Sequence, residues 1–214
     1  MTQFHTAPPL YIMYMTNQQH KIAITGGIGS GKSVVSRLLR MMGVPVYDCD
    51  TRAKCLMNES PTLRTALIQA VGDNVYGPDG NINRPFLAAY MFGNPEHVNT
   101  INHIVHPTVR TDFLQWAQHT QAPIVAVETA ILYESGMDAD VDAVLLVHTP
   151  LDLRIRRAAE RDHTTEAAIR QRIEAQTSDE ELLRRATYVI TNEENTSLIS
   201  QVCQLIHAIE ELGK

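Results

Sequence analysis

The distribution of apolar residues predicts the architecture of the chain. Five short runs of mostly apolar residues are separated by longer segments with helical periodicity, and the runs lie at 21–25, 44–48, 123–128, 143–148 and 188–191. Short continuous runs of this kind are typical of strands that are buried on both faces of a parallel sheet. After the first run, apolar pairs recur at helical spacing as far as Met42, and Gly43 supplies a stop signal. The pattern predicts an α/β protein with a five-stranded, mostly parallel sheet and flanking helices.

The interval between the second and third runs predicts an insertion. About 74 residues separate them, whereas a parallel crossover needs only about a dozen. Segments 61–71 and 84–91 have helical patterns, and Asn94-Pro95 is typical of a helix start. Pro107 is expected to kink or end that helix, and Trp116 to lie in the core. We therefore predict a core at 20–58 and 121–214, with a helical subdomain at 59–120 over the carboxyl ends of the strands, where open α/β sheets bind ligands.

Composition and charge exclude several classes of protein. The 214 residues are 44% hydrophobic and 20% charged, which is ordinary for a globular protein and excludes disordered, collagen-like and disulfide-scaffold classes. A net charge of −6 disfavours nucleic acid as a partner, and no apolar run approaches the ~20 residues of a membrane span. Three unpatterned cysteines are expected to be free thiols in a reducing cytoplasm. Residues 1–16 lack the features of a signal peptide and are expected to form a loose tail.

A phosphate-binding motif follows the first predicted strand. Residues 26–33 read GGIGSGKS, which fits the pattern GxxxxGK[ST], and a strand before it and a helix after it favour this interpretation over a glycine-rich turn with a chance Lys-Ser. Backbone amides of such a loop converge on phosphate oxygens, Lys32 would reach the β- and γ-phosphates, and Ser33 would ligate Mg²⁺. The predicted ATP-binding residues are Gly27, Ile28, Gly29, Ser30, Gly31, Lys32, Ser33 and Val34.

Two acidic positions near the predicted strand ends are candidates for phosphoryl-transfer chemistry. The GTPase motifs Asp-x-x-Gly and Asn-Lys-x-Asp do not occur in the sequence, and a small-metabolite kinase needs an acidic group, an anion-neutralising lid and an acceptor pocket. Asp50 is a candidate to accept or orient the proton of the attacking hydroxyl; alternatively, Asp48 or Asp50 caps the following helix. Glu128 is a candidate Mg²⁺-associated carboxylate, or an ordinary carboxylate at a strand end.

An arginine cluster provides the lid candidate, within 154–176. Six arginines and three acidic residues occupy 154–172, and Arg154, Arg157 and Arg161 share one face of a predicted helix. Planar guanidinium groups suit phosphate oxygens, although the same helix is also compatible with a solvated face paired with neighbouring acids. His103 and His106 lie three residues apart, and without an acidic or cysteine partner a surface or packing role is favoured over metal binding.

Taken together, these motifs resemble the dephospho-coenzyme A kinase family over about residues 21–212. The matching segments are TGGIGSGKS at 25–33, DCDTRA at 48–53, His106-Pro107, Arg-x-x-x-Arg-Asp at 157–162 and Arg-Ile-x-x-Gln at 172–176. Two segments depart from the family pattern. Residues 130–134 read AILYE where the family usually has PLLFE, and residues 192–195 read NEEN where Asn-x-Gly is usual, on the adenine side.

The resemblance implies a P-loop NTPase fold and a reaction. ATP, with Mg²⁺, would phosphorylate the ribose 3′-hydroxyl of dephospho-coenzyme A, giving coenzyme A and ADP in the last step of coenzyme A biosynthesis. It implies catalytic roles for Asp50, Lys32, Arg157 and Arg161, substrate binding by Asp50, His106 and Arg110, and metal binding by Ser33 and Glu128. The expected protein is a cytoplasmic monomer or weak homo-oligomer. A nucleoside or nucleotide kinase, or a regulator that binds nucleotide without turnover, are the alternatives.

Overall fold

The computed structural model describes residues 19–212, so the predicted tail at 1–16 lies outside the described residues. A five-stranded sheet is formed by β1 (His20–Thr25), β2 (Val46–Asp48), β3 (Ile124–Glu128), β4 (Ala143–His148) and β5 (Tyr188–Thr191). The strand order is β2-β3-β1-β4-β5, and every neighbouring pair is parallel, so the sheet is wholly rather than mostly parallel. The predicted strands are confirmed to within two residues at each end.

Helices cover both faces of the sheet, which explains why the strands are apolar throughout. On one face, Ile22 and Ile24 pack with residues of α1 (Lys32–Met41) and α9 (Leu198–Leu212). On the other, Ala23 and Val125 belong to a larger cluster that includes residues of α2 (Cys49–Glu59), α3 (Pro61–Val71), α4 (Arg84–Met91) and α5 (Pro95–His119). Three further helices follow β4: α6 (Leu151–Asp162), α7 (Glu166–Glu174) and α8 (Asp179–Arg185).

The inserted segment is helical, and its helices begin at polar caps. Ser60, Asn83 and Asn94 each accept a hydrogen bond from a backbone amide in the first turn of α3, α4 and α5. Pro107 does not end α5, which continues through it to His119. A proline in this position removes one backbone donor, but the buried face of the helix continues beyond it with Val109 and Phe113. Tertiary packing therefore outweighs the local break signal.

A polar network ties the inserted helices to the sheet. The Tyr47 hydroxyl on β2 donates to an Asp112 carboxylate oxygen on α5 at 2.7 Å, and the Arg52 guanidinium on α2 donates to both Asp112 oxygens at 3.0 Å. Trp116 is half-buried and packs against the core, with its ring centroid 5.4 Å from that of Tyr47. In the part of the chain that the structure describes, no helix is both long and apolar enough to cross a bilayer.

Removing the Tyr47 hydroxyl tests the strength of this network. Tyr47→Phe keeps the ring packing and removes one hydrogen bond to a carboxylate that Arg52 continues to hold. We expect the free energy of unfolding to fall by about 1.5–3 kcal/mol, the range for a hydrogen bond to a charged group. Urea denaturation measures the change. An unchanged midpoint would show that the hydroxyl contributes nothing to the attachment of α5.

Candidate active site

The phosphate loop (residues 26–33) makes a tight turn between β1 and α1 that requires glycine at three positions. Gly26 has φ +150°, and a Cβ there would lie 2.5 Å from the Val147 carbonyl oxygen of β4. Gly29 has φ +78°, and its Cβ would lie 2.2 Å from the Arg154 carbonyl oxygen; Gly31 has φ +92° at the N-cap of α1. These conformations disfavour side chains; at Gly26 and Gly29 the neighbouring backbone also leaves no room for one, and at Gly31 the Asn192 side chain occupies the space. The turn therefore places the amino end of α1 against the carboxyl ends of β1 and β4.

Lys32 is the first residue of α1, and its ammonium bends back over the loop. Its Nζ donates to the Gly26 carbonyl oxygen at 2.7 Å and to the Gly27 carbonyl oxygen at 3.2 Å. Burial lowers the pKa of Lys32 to about 8, although the carboxylates of Glu128 and Asp50 oppose the shift. A helix amino terminus and a buried ammonium meet at one point, which is the arrangement that binds phosphate.

The structure separates the roles of the two aspartates at the end of β2. Asp48 caps α2: its Oδ1 accepts from the Thr51 amide at 3.0 Å and its Oδ2 from the Thr51 hydroxyl at 2.9 Å. Asp50 makes no cap; it lies in the first turn of α2 with its side chain exposed to the cavity. The capping interpretation is therefore right for Asp48 and wrong for Asp50.

Glu128 ends β3, and the strand register pairs it with Asp48. Burial raises the pKa of the Glu128 carboxyl, the Asp48 carboxylate raises it further, and the Lys32 ammonium opposes both. Because β2 is separated from β1 by β3, Glu128 lies between the phosphate loop and the Asp48–Asp50 pair.

A cavity of about 610 Å³ brings most of the predicted reactive groups together. Residues of the phosphate loop, both strand-end carboxylates and the lid arginines line it: Ile28, Gly29, Gly31, Lys32, Ser33, Asp48, Asp50, Thr51, Lys54, Glu128, Ala130, Arg157, Arg161, Arg172 and Gln176. Three predicted ATP-binding residues do not line it. Ser30 is buried, and its carbonyl accepts from Thr149 and Asn192; Gly27 lies against Arg154, and Val34 is exposed.

Arginines of α6 and α7 face this cavity while paired with protein acceptors. Arg161 makes two hydrogen bonds with the Asp162 carboxylate, at 2.8 and 3.2 Å, and Arg172 joins the same carboxylate at 2.7 Å. Hydrogen bonds from Arg161 and Arg172 hold the pKa of Asp162 well below its usual range. Arg157 donates to the Asn192 carbonyl oxygen at 3.3 Å. The two helices thus present three guanidinium groups to one space.

Arg154 does not join that set, which corrects the prediction that it shares the lid face with Arg157 and Arg161. Its side chain is 3% exposed and lies beneath the phosphate loop, with Nη2 donating to the Asp179 carboxylate at 2.7 Å. Positions i and i+3 share a face, but here one edge of that face is buried and the other borders the cavity.

A second, mainly apolar cavity of about 240 Å³ adjoins the inserted helices. Its lining includes Met57, Leu87, Met91, Val105, His106 and Met137, and Asp50 lines it as well as the larger cavity. His106 therefore lies where substrate binding was predicted. Arg110 lines neither cavity and pairs with Asp140, Nη2 to Oδ1 at 2.8 Å, so its role in binding substrate stays a prediction.

The donor set fits Mg²⁺ that is carried with a nucleotide. Within residues 19–212 no group of three or more His, Cys, Asp or Glu side chains is arranged to hold a metal, so there is no preformed cage. Mg²⁺ usually takes one or two protein oxygens and completes its shell with substrate phosphates and water. The Ser33 hydroxyl and the Glu128 carboxylate line one cavity beside the phosphate loop and match that requirement.

Sequence reasoning assigned no site role to several residues of the larger cavity, among them Gln176 and Lys54. Gln176 accepts from the Ile28 amide of the phosphate loop through Oε1 at 3.0 Å, although it was noted only as part of a motif. Lys54 follows Asp50 by four residues and lines the same cavity. Its i, i+4 spacing from Asp50 on α2 was the signal that could have identified this neighbour.

Comparison with known proteins gives a consistent result. A model of the dephospho-CoA kinase family matches residues 20–197. The dephospho-CoA kinase of Bacteroides fragilis strain YCH46 is 46% identical over 187 residues, covering 87% of this chain and 91% of the relative. The dephospho-CoA kinase of Porphyromonas gingivalis strain W83 is 40% identical over 189 residues, covering 88% and 93%.

Solved structures share the fold. A Thermus thermophilus protein superposes with a TM-score of 0.79 at 32% identity, covering 90% of this chain and 98% of the other. A shikimate kinase from Acinetobacter baumannii superposes with a TM-score of 0.53 at 14% identity, covering 91% and 94%, which is a likeness of fold alone.

The low pKa of Lys32 predicts how nucleotide binding depends on pH. The neutral amine offers no charge to phosphate, so ATP affinity should fall as pH rises through about 8. Between about pH 7.5 and 9.5 the charged fraction falls about 20-fold, which sets the upper limit of the loss. Calorimetric titration measures it. Lys32→Arg, which keeps its charge, should give a flat profile; a flat profile in the wild type would contradict the prediction.

Proposed function

This chain belongs to the dephospho-CoA kinase family, and from that premise we propose how its residues divide the work of the reaction. The enzyme transfers the γ-phosphoryl group of ATP to dephospho-coenzyme A, in the final step of coenzyme A biosynthesis. The transfer goes to the ribose 3′-hydroxyl. The observation that carries the proposal is that Asp50 lines both the phosphate-loop cavity and the apolar cavity, at the place where donor and acceptor must meet.

The phosphate loop holds the triphosphate. Backbone amides of the loop residues that line the cavity and the Lys32 ammonium bind phosphate oxygens, and Lys32 exchanges its carbonyl partners at Gly26 and Gly27 for the β- and γ-phosphates. Ser33 and Glu128 would hold Mg²⁺, which would supply positive charge to neutralise the phosphates. These groups supply position and charge, which is most of what phosphoryl transfer requires of a protein.

Asp50 orients the attacking hydroxyl and accepts its proton. Its carboxylate has no capping bond to release, and it lies on α2 beside the acceptor cavity. The acceptor is held by the inserted helices at 59–120, with its apolar portion against Leu87, Met91 and Val105 and with His106 at the cavity wall. We keep Arg110 as a predicted substrate contact, which would require exchange of its Asp140 partner.

Arg157 and Arg161 stabilise the transferring phosphoryl group from the lid side. They line the same cavity as Asp50 and Glu128, and Asp162 holds Arg161 in a defined orientation. Because the protein orients these guanidinium groups before the reaction, they need little reorganisation during it, and their charge acts mainly on the transition state.

We also propose that the enzyme works in the cytoplasm, because all three cysteines of the sequence lie in the described region and are free.

An ADP-release assay tests the function as a whole. The wild-type enzyme should release ADP with dephospho-coenzyme A as acceptor and negligible ADP with a panel of nucleosides and nucleotides. Turnover with a nucleotide at a comparable kcat/KM would favour a nucleotide kinase, and the absence of turnover with every acceptor would favour a regulator.

Replacement of Asp50 tests the proposed base. Asp50→Asn keeps the volume and an acceptor oxygen but takes no proton, so kcat should fall by about 10²- to 10⁴-fold with little change in ATP affinity. Asp48→Asn is the matched control: asparagine caps a helix about as well as aspartate, so its loss should be much smaller. A larger loss at Asp48 than at Asp50 would assign the role to the other aspartate.

A conservative change tests the lid. Arg161→Lys keeps the charge and loses the planar fork, so kcat at saturating ATP should fall on the order of 10- to 1000-fold if both guanidinium arms bind phosphate. Arg170→Lys on α7 is the control, since Arg170 is exposed and lies outside the lining of the cavity. If Arg161→Lys retained the wild-type rate, Arg161 would be only a surface partner of Asp162 and not a phosphate-binding residue.

A further inference from the structure

The phosphate loop rests on the side chain and the backbone of one buried arginine. Arg154 Nη1 occupies the space where a Cβ of Gly27 would lie, 1.5 Å from that position, with Cζ 2.8 Å from it. The carbonyl oxygen of the same arginine fills the space beneath Gly29. Arg154 therefore supports the loop at two positions that flank Ile28.

The guanidinium is fixed from the other side by the start of α8. Its Nη2 donates to the Asp179 carboxylate at 2.7 Å, while its Nε is buried and has no hydrogen-bond partner among the described residues. Removing an arginine from water is costly when one carboxylate is its only partner. If packing were the only role of this side chain, an apolar residue would fill the space at lower cost. The charged, planar guanidinium of Arg154 therefore indicates a specific role at the phosphate loop.

Glycine is required at position 27 for a different reason than at the other glycine positions of the loop. Gly26, Gly29 and Gly31 have left-handed backbone conformations, whereas Gly27 does not, and the three atoms nearest to its added Cβ belong to the Arg154 side chain. Glycine is thus required at position 27 because the Arg154 guanidinium occupies the space that a Cβ would need.

We propose that Arg154 is a positioning residue for the phosphate loop: anchored by Asp179, its guanidinium supports Gly27 and sets the loop for the triphosphate. The inference rests on the proposed ATP site and adds to it a residue that contacts the loop rather than the substrate. Its charge also reaches the site, since Arg154 is one of the groups that lower the pKa of Lys32. The gap left by a shorter side chain would let residues 27–29 settle away from the phosphates.

Arg154→Met removes the support while keeping an apolar chain in its place. We expect the Kd for ATP, measured by calorimetry well below the melting temperature, to rise about tenfold or more, with KM for dephospho-coenzyme A changed less than about twofold. Arg156→Met, an exposed position on the same helix, should leave both unchanged. An unchanged Kd for ATP in Arg154→Met, whatever its melting temperature, would overturn the proposal. Failure of the wild type to bind ATP would instead refute the site itself.

The double variant Gly27→Ala/Arg154→Met tests the steric coupling. Gly27→Ala alone should weaken ATP binding strongly because the new methyl displaces the guanidinium. The double variant should bind ATP about as well as Arg154→Met, since methionine lacks the atoms that clash. A double variant no better than Gly27→Ala would contradict the coupling. If Arg154→Met does not fold, Asp179→Asn decides: a rise in Kd for ATP of about threefold or more supports the anchor, and no change overturns it.

Discussion

The close packing of the β1–α1 turn against its neighbours is the constraint on which the site depends. No Cβ fits at Gly26 beside the Val147 carbonyl or at Gly29 beside the Arg154 carbonyl, so the loop has one position relative to β4 and α6. β1 lies between β3 and β4, which brings Glu128 to one side of the loop and the arginine-bearing helices to the other. The arrangement of the site therefore follows from the strand order and from glycine at positions 26 and 29.

Four of the cations that line the larger cavity are held by oxygen acceptors of the protein itself. Lys32 rests on two loop carbonyls, Arg157 on the Asn192 carbonyl, and Arg161 and Arg172 share the Asp162 carboxylate. These contacts orient the groups at small energetic gain, because the arginines remain partly exposed. A triphosphate can replace the carbonyls without requiring the cations to be repositioned, which is what electrostatic preorganisation requires.

Local signals predicted the local parts of this structure and failed where tertiary contacts decided. The strands, the cap at Asn94 and the turn between β1 and α1 each depend on neighbours in sequence, and each is confirmed. The cap at Asp48 was one of the alternatives that the sequence left open. The inward turn of Arg154 and the continuation of α5 through Pro107 depend on burial against distant segments, which periodicity does not encode. Gln176 was hidden for the same reason, since its hydrogen bond to Ile28 spans 148 residues. The spacing of residues on one face of a helix does not show which side of that face is buried by other segments.

The contacts also group the site into two sets that meet at Asp50. The phosphate loop is held to the lid through Arg154 and Gln176, whereas α2, which carries Asp50, is held to α5 through Arg52 and Asp112. The apolar cavity lies against α5, so under the proposed roles the helix that holds the acceptor packs against the helix that carries Asp50. The proposal therefore couples acceptor choice to proton acceptance through one helix pair. Under it, an acceptor that does not bind against α5 would have its hydroxyl out of line with the γ-phosphate, because the donor is held by the other set.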